Sequence, residues 1–259
     1  MISWLQDHFL VQQGMYFDKK EAKGQCTYFG SDFIEDAVWN YGVSTDMSVE
    51  GLKAFVLFCD RIKKPCNLYI PMTSKQYDDK ALVREGFVKP IDENGEIVTE
   101  SWMLFKEKRY HLKGNFNIVQ VNTEQQKNDF IEVFIEAYGG GKSPEKPYGD
   151  LPESYTLALL RTFSNSKIFH FLCYEDNVPV SIATLCYSAG KGGVYNVGTK
   201  PAYERRGFGL AVTDACINKW LSLGGTSLFL QTETGTGIDT WYNKIGFDLL
   251  FYGAIYEKY

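Results

Sequence analysis

The chain has 259 residues, 44% hydrophobic and 15% aromatic, which is enough apolar surface for packed cores and excludes a disordered chain. Its formal charge of −5 excludes the broadly basic face of a nucleic-acid-binding domain. The length suits two compact domains.

Residues 1–13 read as a helix with Trp4, Leu5, His8, Phe9 and Leu10 on or near one face. The segment lacks a basic leader and carries Asp7, so it is not expected to be a signal peptide. Strands are expected over 25–29 and 37–43. A helix is expected over 48–63, where Leu52, Phe55, Val56 and Cys59 recur at spacings of three and four. Pro65 follows, then a strand over 67–70 and a helix over 77–85 stopped by Gly86-Phe87. Asn94-Gly95 reads as a hairpin turn into a strand over 97–105.

The second half begins with a strand over 116–121 and a helix to Tyr138 capped by Thr123. A glycine-rich loop over 139–150 and a helix over 152–160 follow. Strands over 168–174, 180–187 and 194–199 come next, the first two joined by a turn at Asp176-Asn177. A helix after Gly207 carries Val212, Ala215, Cys216, Trp220 and Leu223 and is closed by Gly224-Gly225. A strand over 227–231, a helix over 238–245 and a last strand from Gly246-Phe247 complete the chain. Gly86-Phe87 thus recurs 160 residues later, and the same shift superposes both preceding helices and the strand between them. Two copies of one unit are expected, over 1–110 and 115–259.

The six cysteines contain no C-x-x-C pair and mostly sit in apolar runs, which predicts free thiols of a reducing compartment. His8, His111 and His170 lie far apart, and no metal site is expected. No apolar run is long enough to span a membrane. A soluble, cytoplasmic protein without membrane or nucleic-acid partners is expected; its oligomeric state is not legible.

The stretch from Val194 to Leu210, VYNVGTKPAYERRGFGL, joins a strand, a glycine-bearing loop and a helix start. Converging main-chain N–H groups and the helix dipole favour an anion there, with Arg205 and Arg206 alongside. It resembles the signature of the GNAT acetyltransferases, Arg/Gln-x-x-Gly-x-Gly/Ala, which binds the pyrophosphate of acetyl-coenzyme A. One position departs: Glu204 stands where that family has Arg or Gln. The order of elements in residues 115–259 resembles the GNAT topology from end to end. The fold implied is α+β, with two GNAT-like units, each a mixed, mostly antiparallel sheet flanked by helices.

A second segment, Thr240 to Phe247 (TWYNKIGF), resembles the family's Leu-Tyr-x-Lys-x-Gly-Phe. The resemblance places Tyr242 opposite the cofactor sulfur. A phenol of pKa about 10 can protonate a departing thiolate whose thiol has a pKa of about 8.5. By the same resemblance, Val197, Gly198 and Thr199 serve the pantetheine arm through main-chain groups, one N–H polarising the thioester carbonyl. Arg205, Arg206, Gly207, Phe208, Gly209 and Leu210 serve the pyrophosphate. Where some relatives place a basic glutamate this chain has Gly193, so Glu233, through a water, is the candidate base, with Asp239 second. The family's asparagine after that strand is replaced by Gly235-Thr236-Gly237.

The equivalent positions of the first copy are Asp46, Met47, Val49 and Leu82, in place of Arg206, Gly207, Gly209 and Tyr242. An aspartate repels pyrophosphate, so that copy is expected to be degenerate. The resemblance implies direct acetyl transfer from acetyl-coenzyme A to a primary amine, a small molecule in preference to a protein lysine, without a metal. Two alternatives stay open: a non-catalytic acyl-coenzyme A sensor or scaffold, and an aminoacyl-tRNA-dependent transferase, which would need a basic tRNA surface.

Overall fold

The computed structural model describes residues 1–74 and 78–259. Its elements begin with α1 (Ile2–Gln12), β1 (Lys19–Lys23), β2 (Cys26–Gly30), β3 (Asn40–Ser44), α2 (Val49–Ile62), β4 (Cys66–Met72), α3 (Lys80–Arg84) and β5 (Glu100–Phe105). They continue with β6 (Asn117–Gln120), α4 (Glu124–Gly139), α5 (Glu153–Leu160), β7 (Ile168–Glu175), β8 (Val178–Ser188) and β9 (Lys191–Thr199). The last four are α6 (Phe208–Ser222), β10 (Ser227–Glu233), α7 (Ile238–Ile245) and β11 (Phe247–Lys258). The fold is α+β, and its strands pair mostly antiparallel.

Local chemistry accounts for most boundaries. Ser48 caps α2 by accepting the Gly51 N–H at 3.1 Å, and the helix buries Leu52, Phe55 and Cys59. Thr123 and Gln126 close a capping box at the start of α4. Asp176 and Asn177, at φ 49° and 65°, form the tight turn from β7 to β8. β1, five exposed residues of sequence KKEAK, has no apolar alternation to betray it and exists by antiparallel pairing with β2. The strand expected over 97–105 begins at Glu100, with only an isolated bridge from Ile97 to Ile91 before it. The helix expected over 77–85 is observed as Lys80–Arg84, and Tyr77 lies outside the described residues.

The chain forms two compact units. The first holds Met1–Phe9, Tyr16–Lys108 and Gln231–Tyr259; the second holds Leu10–Met15 and Arg109–Leu230. These bounds differ from the consecutive domains 1–110 and 115–259 that the sequence predicts. The reason is β11, which pairs antiparallel with β4 on one side (Ala254 opposite Ile70) and with β5 on the other (Leu249 opposite Met103). Two full ladders outweigh chain order.

In the first unit the strands run β1-β2-β3-β4-β11-β5. Its core is aromatic: Phe17, Phe29, Tyr41, Trp102 and Phe251 are almost wholly buried, with Trp102 stacked on Phe251 at 5.1 Å. His8 is enclosed by Phe17, Trp39 and Trp102, and burial lowers its pKa to about 3, so it is neutral. The second unit runs β10-β9-β8-β7-β6. Residues Val180 to Cys186 of β8 are buried without interruption, which requires cover on both faces; α4 and α6 both pack on this strand. His170 is buried between the Thr162 and Thr184 hydroxyls at 2.8 and 2.9 Å, a structural role. All six cysteines are free thiols. Among the described residues no helix is long and apolar enough to cross a membrane.

Candidate functional site

In the second unit β8 and β9 pair in register up to Tyr195, where β9 takes an extra residue. Ile182 faces Gly198 and Thr184 faces Tyr195, so Asn196 and Val197 together face Ala183. Asn196 adopts φ 53°, the signature of a bulge that re-aims the strand. On its other side β9 pairs in parallel with β10 only from Lys191 to Gly193. The sequence-predicted Val197, Gly198 and Thr199 therefore lie past the end of that ladder. Their carbonyls are partly occupied: Val197 accepts from the Tyr138 hydroxyl at 2.9 Å and Gly198 from Ser181 at 2.9 Å. The Thr199 hydroxyl bonds Ser181 at 2.8 Å.

Lys200, almost wholly buried, is clamped by Glu132 at 2.5 Å and Glu136 at 3.1 Å, anchoring the strand end on α4. A short 3-10 turn, Pro201–Tyr203, leads into the basic doublet. Arg205 is exposed and held at φ 60°, a left-handed conformation rare for a residue with a side chain. Arg206 pairs with Glu175 and lies 5.4 and 5.3 Å from the ring centroids of Tyr203 and Phe208. A cavity of about 520 Å³ opens beside it, lined by Lys113, Asn115, Phe116, Glu175, Arg206 and Phe208. Arg206 is thus a cation prepositioned at an accessible hollow.

Gly207 forms the cap of α6 at φ 91°, and no side chain caps that helix. Its positive dipole end therefore has no side-chain cap, an arrangement that favours negative charge. Gly209 follows with ordinary room: a Cβ there would stand 3.5 Å from the Thr199 hydroxyl. Gly207 is required by backbone conformation, whereas nothing in the chain's own packing requires Gly209. The equivalent helix of the first unit differs. The amino end of α2 is filled by its own chain, with Ser48 on Gly51 and the Asp46 carboxylate accepting the Ser48 N–H at 3.0 Å. That backbone bond holds the Asp46 pKa below its usual range, so the position carries negative charge.

The remaining predicted residues fall in the first unit. Tyr242 is buried on α7, with its ring 5.7 Å from Phe247 and 4.7 Å from Trp241. Glu233, at the end of β10, is exposed. The half-buried Asp239 is engaged as a local cap, its carboxylate accepting the N–H groups of Thr240 at 2.7 Å and Gly235 at 3.4 Å. Tyr242, Glu233 and Asp239 therefore share one unit, and residues 197–210 share the other. Two residues are not singled out by the sequence. Tyr138 holds the Val197 carbonyl from α4 and belongs to no motif. Glu100 is a carboxylate at the head of the apolar run Glu100-Ser101-Trp102-Met103-Leu104-Phe105, a pattern whose single charge was the available signal.

No protein-family model matches the sequence, and no curated protein matches it significantly. Solved structures do match the fold. A GCN5-related N-acetyltransferase from Kribbella flavida shares 14% identity at a TM-score of 0.66, over 99% of this chain and 94% of its own. One from Sphaerobacter thermophilus shares 14% at 0.59, over 92% and 82%. A tandem GNAT protein from the clavulanic acid biosynthesis pathway shares 7% at 0.60, over 89% and 77%. The chain has the fold of the GNAT acetyltransferases, a tandem member among its structural neighbours.

Proposed function

We propose that this protein transfers an acetyl group from acetyl-coenzyme A to a primary amine of a small molecule. The observation that carries the reading is the uncapped amino end of α6. There a left-handed Gly207, the prepositioned Arg206 and the unrequired Gly209 form a pocket suited to a pyrophosphate. The bulged β9, past its ladder with β10, offers main-chain N–H groups to a pantetheine arm and its thioester carbonyl.

Transfer is direct. The amine nitrogen attacks the thioester carbonyl, the carbon–sulfur bond breaks, and the thiolate takes a proton, for which Tyr242 is the proposed acid. Glu233 is the proposed base, acting through a water on the ammonium proton. The first copy is proposed to be degenerate, because Ser48 and Asp46 occupy the helix end that an anion would need. Thiol release from acetyl-coenzyme A across a panel of amines, followed by the mass of the product, tests the reading. A gain of one acetyl group on an amine supports it. Tight binding of acetyl-coenzyme A without thiol release above the hydrolytic background would favour the sensor reading instead.

A further inference from the structure

Glu100 is a half-buried carboxylate of the first unit with no lysine, arginine or histidine paired to it among the described residues. Its Oε2 accepts the Tyr69 hydroxyl at 2.9 Å, and the Tyr69 oxygen in turn accepts the Trp102 Nε1–H at 2.6 Å. That chain fixes the direction of the Tyr69 proton. Its Oε1 has only a long contact, 3.4 Å, with the Gln231 amide nitrogen. Among the described residues the buried Gln231 amide oxygen has no partner, and neither has the hydroxyl of Tyr41, whose ring lies 4.8 Å from that of Tyr69. Burial, and after it the charge of Glu100, hold the Tyr41 phenol well above its usual pKa, which marks the carboxylate as within electrostatic reach.

A buried anion is normally paired, and buried polar atoms are normally satisfied. Here three oxygens (Glu100 Oε1, Gln231 Oε1 and the Tyr41 hydroxyl) go without a strong donor, and among the described residues the carboxylate that Gln231 and Tyr69 contact has no cation paired to it. An alkylammonium supplies what is missing: one positive charge and three donors on a compact head, with no acceptor of its own. Glu100 keeps some solvent exposure, whereas Tyr41 and Tyr69 are each 2% exposed.

We propose that Glu100, with Gln231, Tyr41 and Tyr69, is the receptor for the ammonium group of the acceptor amine. That this cation is the acceptor rests on the acetyl-transfer reading. The receptor itself does not.

Calorimetric titration of n-butylamine at pH 8, with 1-butanol as the neutral isostere, tests it on the full chain. The wild type should bind butylammonium and not butanol. Glu100→Gln, which keeps shape and removes charge, should weaken amine binding about 10- to 100-fold, the range for a charged hydrogen bond. Its affinity for coenzyme A should not change, and a thermal melt would verify that it folds. Glu100→Asp should retain part of the binding. Equal amine affinity in wild type and Glu100→Gln, or no amine binding by the wild type, would overturn the receptor. If butylammonium binds through Glu100 and no amine releases thiol, the receptor stands and the acetyl-transfer reading falls. If amines release thiol with the same KM in wild type and Glu100→Gln, acetyl transfer stands and the receptor falls.

Discussion

Tyr242→Phe removes one hydroxyl and keeps the ring that packs on Phe247 and Trp241. If the phenol protonates the departing thiolate, steady-state turnover should fall by about 100-fold or more, within the range of a positioned acid. Acetyl-coenzyme A affinity should hold, because the hydroxyl matters mainly as charge develops on sulfur. Full turnover in the variant would leave water as the proton source. The two loop glycines separate conformation from space. Gly207→Val would combine φ 91° with a Cβ only 3.3 Å from the Phe116 ring, so it strains the chain before any ligand is considered. Gly209→Ala meets only ordinary contact at 3.5 Å. It should leave the melting temperature unchanged or slightly raised and weaken coenzyme A binding by about 10-fold or more, as overpacking does. Undiminished affinity would place the pyrophosphate elsewhere. Glu100 makes a claim on stability as well. Burial pushes its pKa from 4.5 up to about 7, so the folded state holds the proton more tightly than the unfolded chain. The stability of the neutral form is fully present below about pH 4.5 and is lost as pH rises through about 7. Glu100→Gln has no such loss. Between about pH 4.5 and pH 8 the stability difference should move in the variant's favour by about 3 kcal/mol, read by urea denaturation at each pH. A difference that stays constant with pH would mean that the carboxylate is already solvated.

Elements with local determinants were legible before any tertiary contact was known. α7 falls on residues 238–245 as expected, and α2 and α4 lie within about a residue of their expected ends, because Ser48, Thr123 and Gly246 mark those ends by hydrogen bonding and left-handed backbone. The tight turn at Asp176-Asn177 is equally local. β1 was not legible, since five exposed charged or small residues have no periodicity; only the neighbouring β2 makes them a strand. The bulge in β9 was invisible too, because register depends on both partners of a ladder. One helix end invites improvement. Lys63 closes α2 in the left-handed region at φ 54° and ψ 48°, where a β-carbon is costly and glycine is at home. Lys63→Gly should raise unfolding free energy by about 0.5–1 kcal/mol, the relieved strain being partly offset by the added freedom of the unfolded chain. A lowered melting temperature would mean that the lysine side chain stabilises the helix end by more than the strain it costs.

At the scale of the whole chain, the 160-residue repeat survives as matched elements: α2, β4 and α3 correspond to α6, β10 and α7. The two helix starts differ in a way that predicts a stoichiometry. α2 is capped by its own Ser48 and shadowed by an ionised Asp46, whereas α6 is uncapped. Calorimetry should therefore find one acetyl-coenzyme A per chain, and two equivalent sites would refute the degeneracy of the first copy. The sequence by itself determined the order of elements, which resembles the GNAT topology, and named the loop at 205–210 and Tyr242 as candidates, because glycine spacing, caps and apolar periodicity act over a few residues. Only the tertiary structure decided that Gln231–Tyr259 joins the first compact unit, since the pairing of β11 with β4 and β5 joins residues more than 140 positions apart. It alone singled out Glu100 as well. A glutamate at the head of an apolar strand is ordinary in sequence; what distinguishes it is that no cation is paired with it among the described residues, and that depends on which side chains four separate strands bring to the same place.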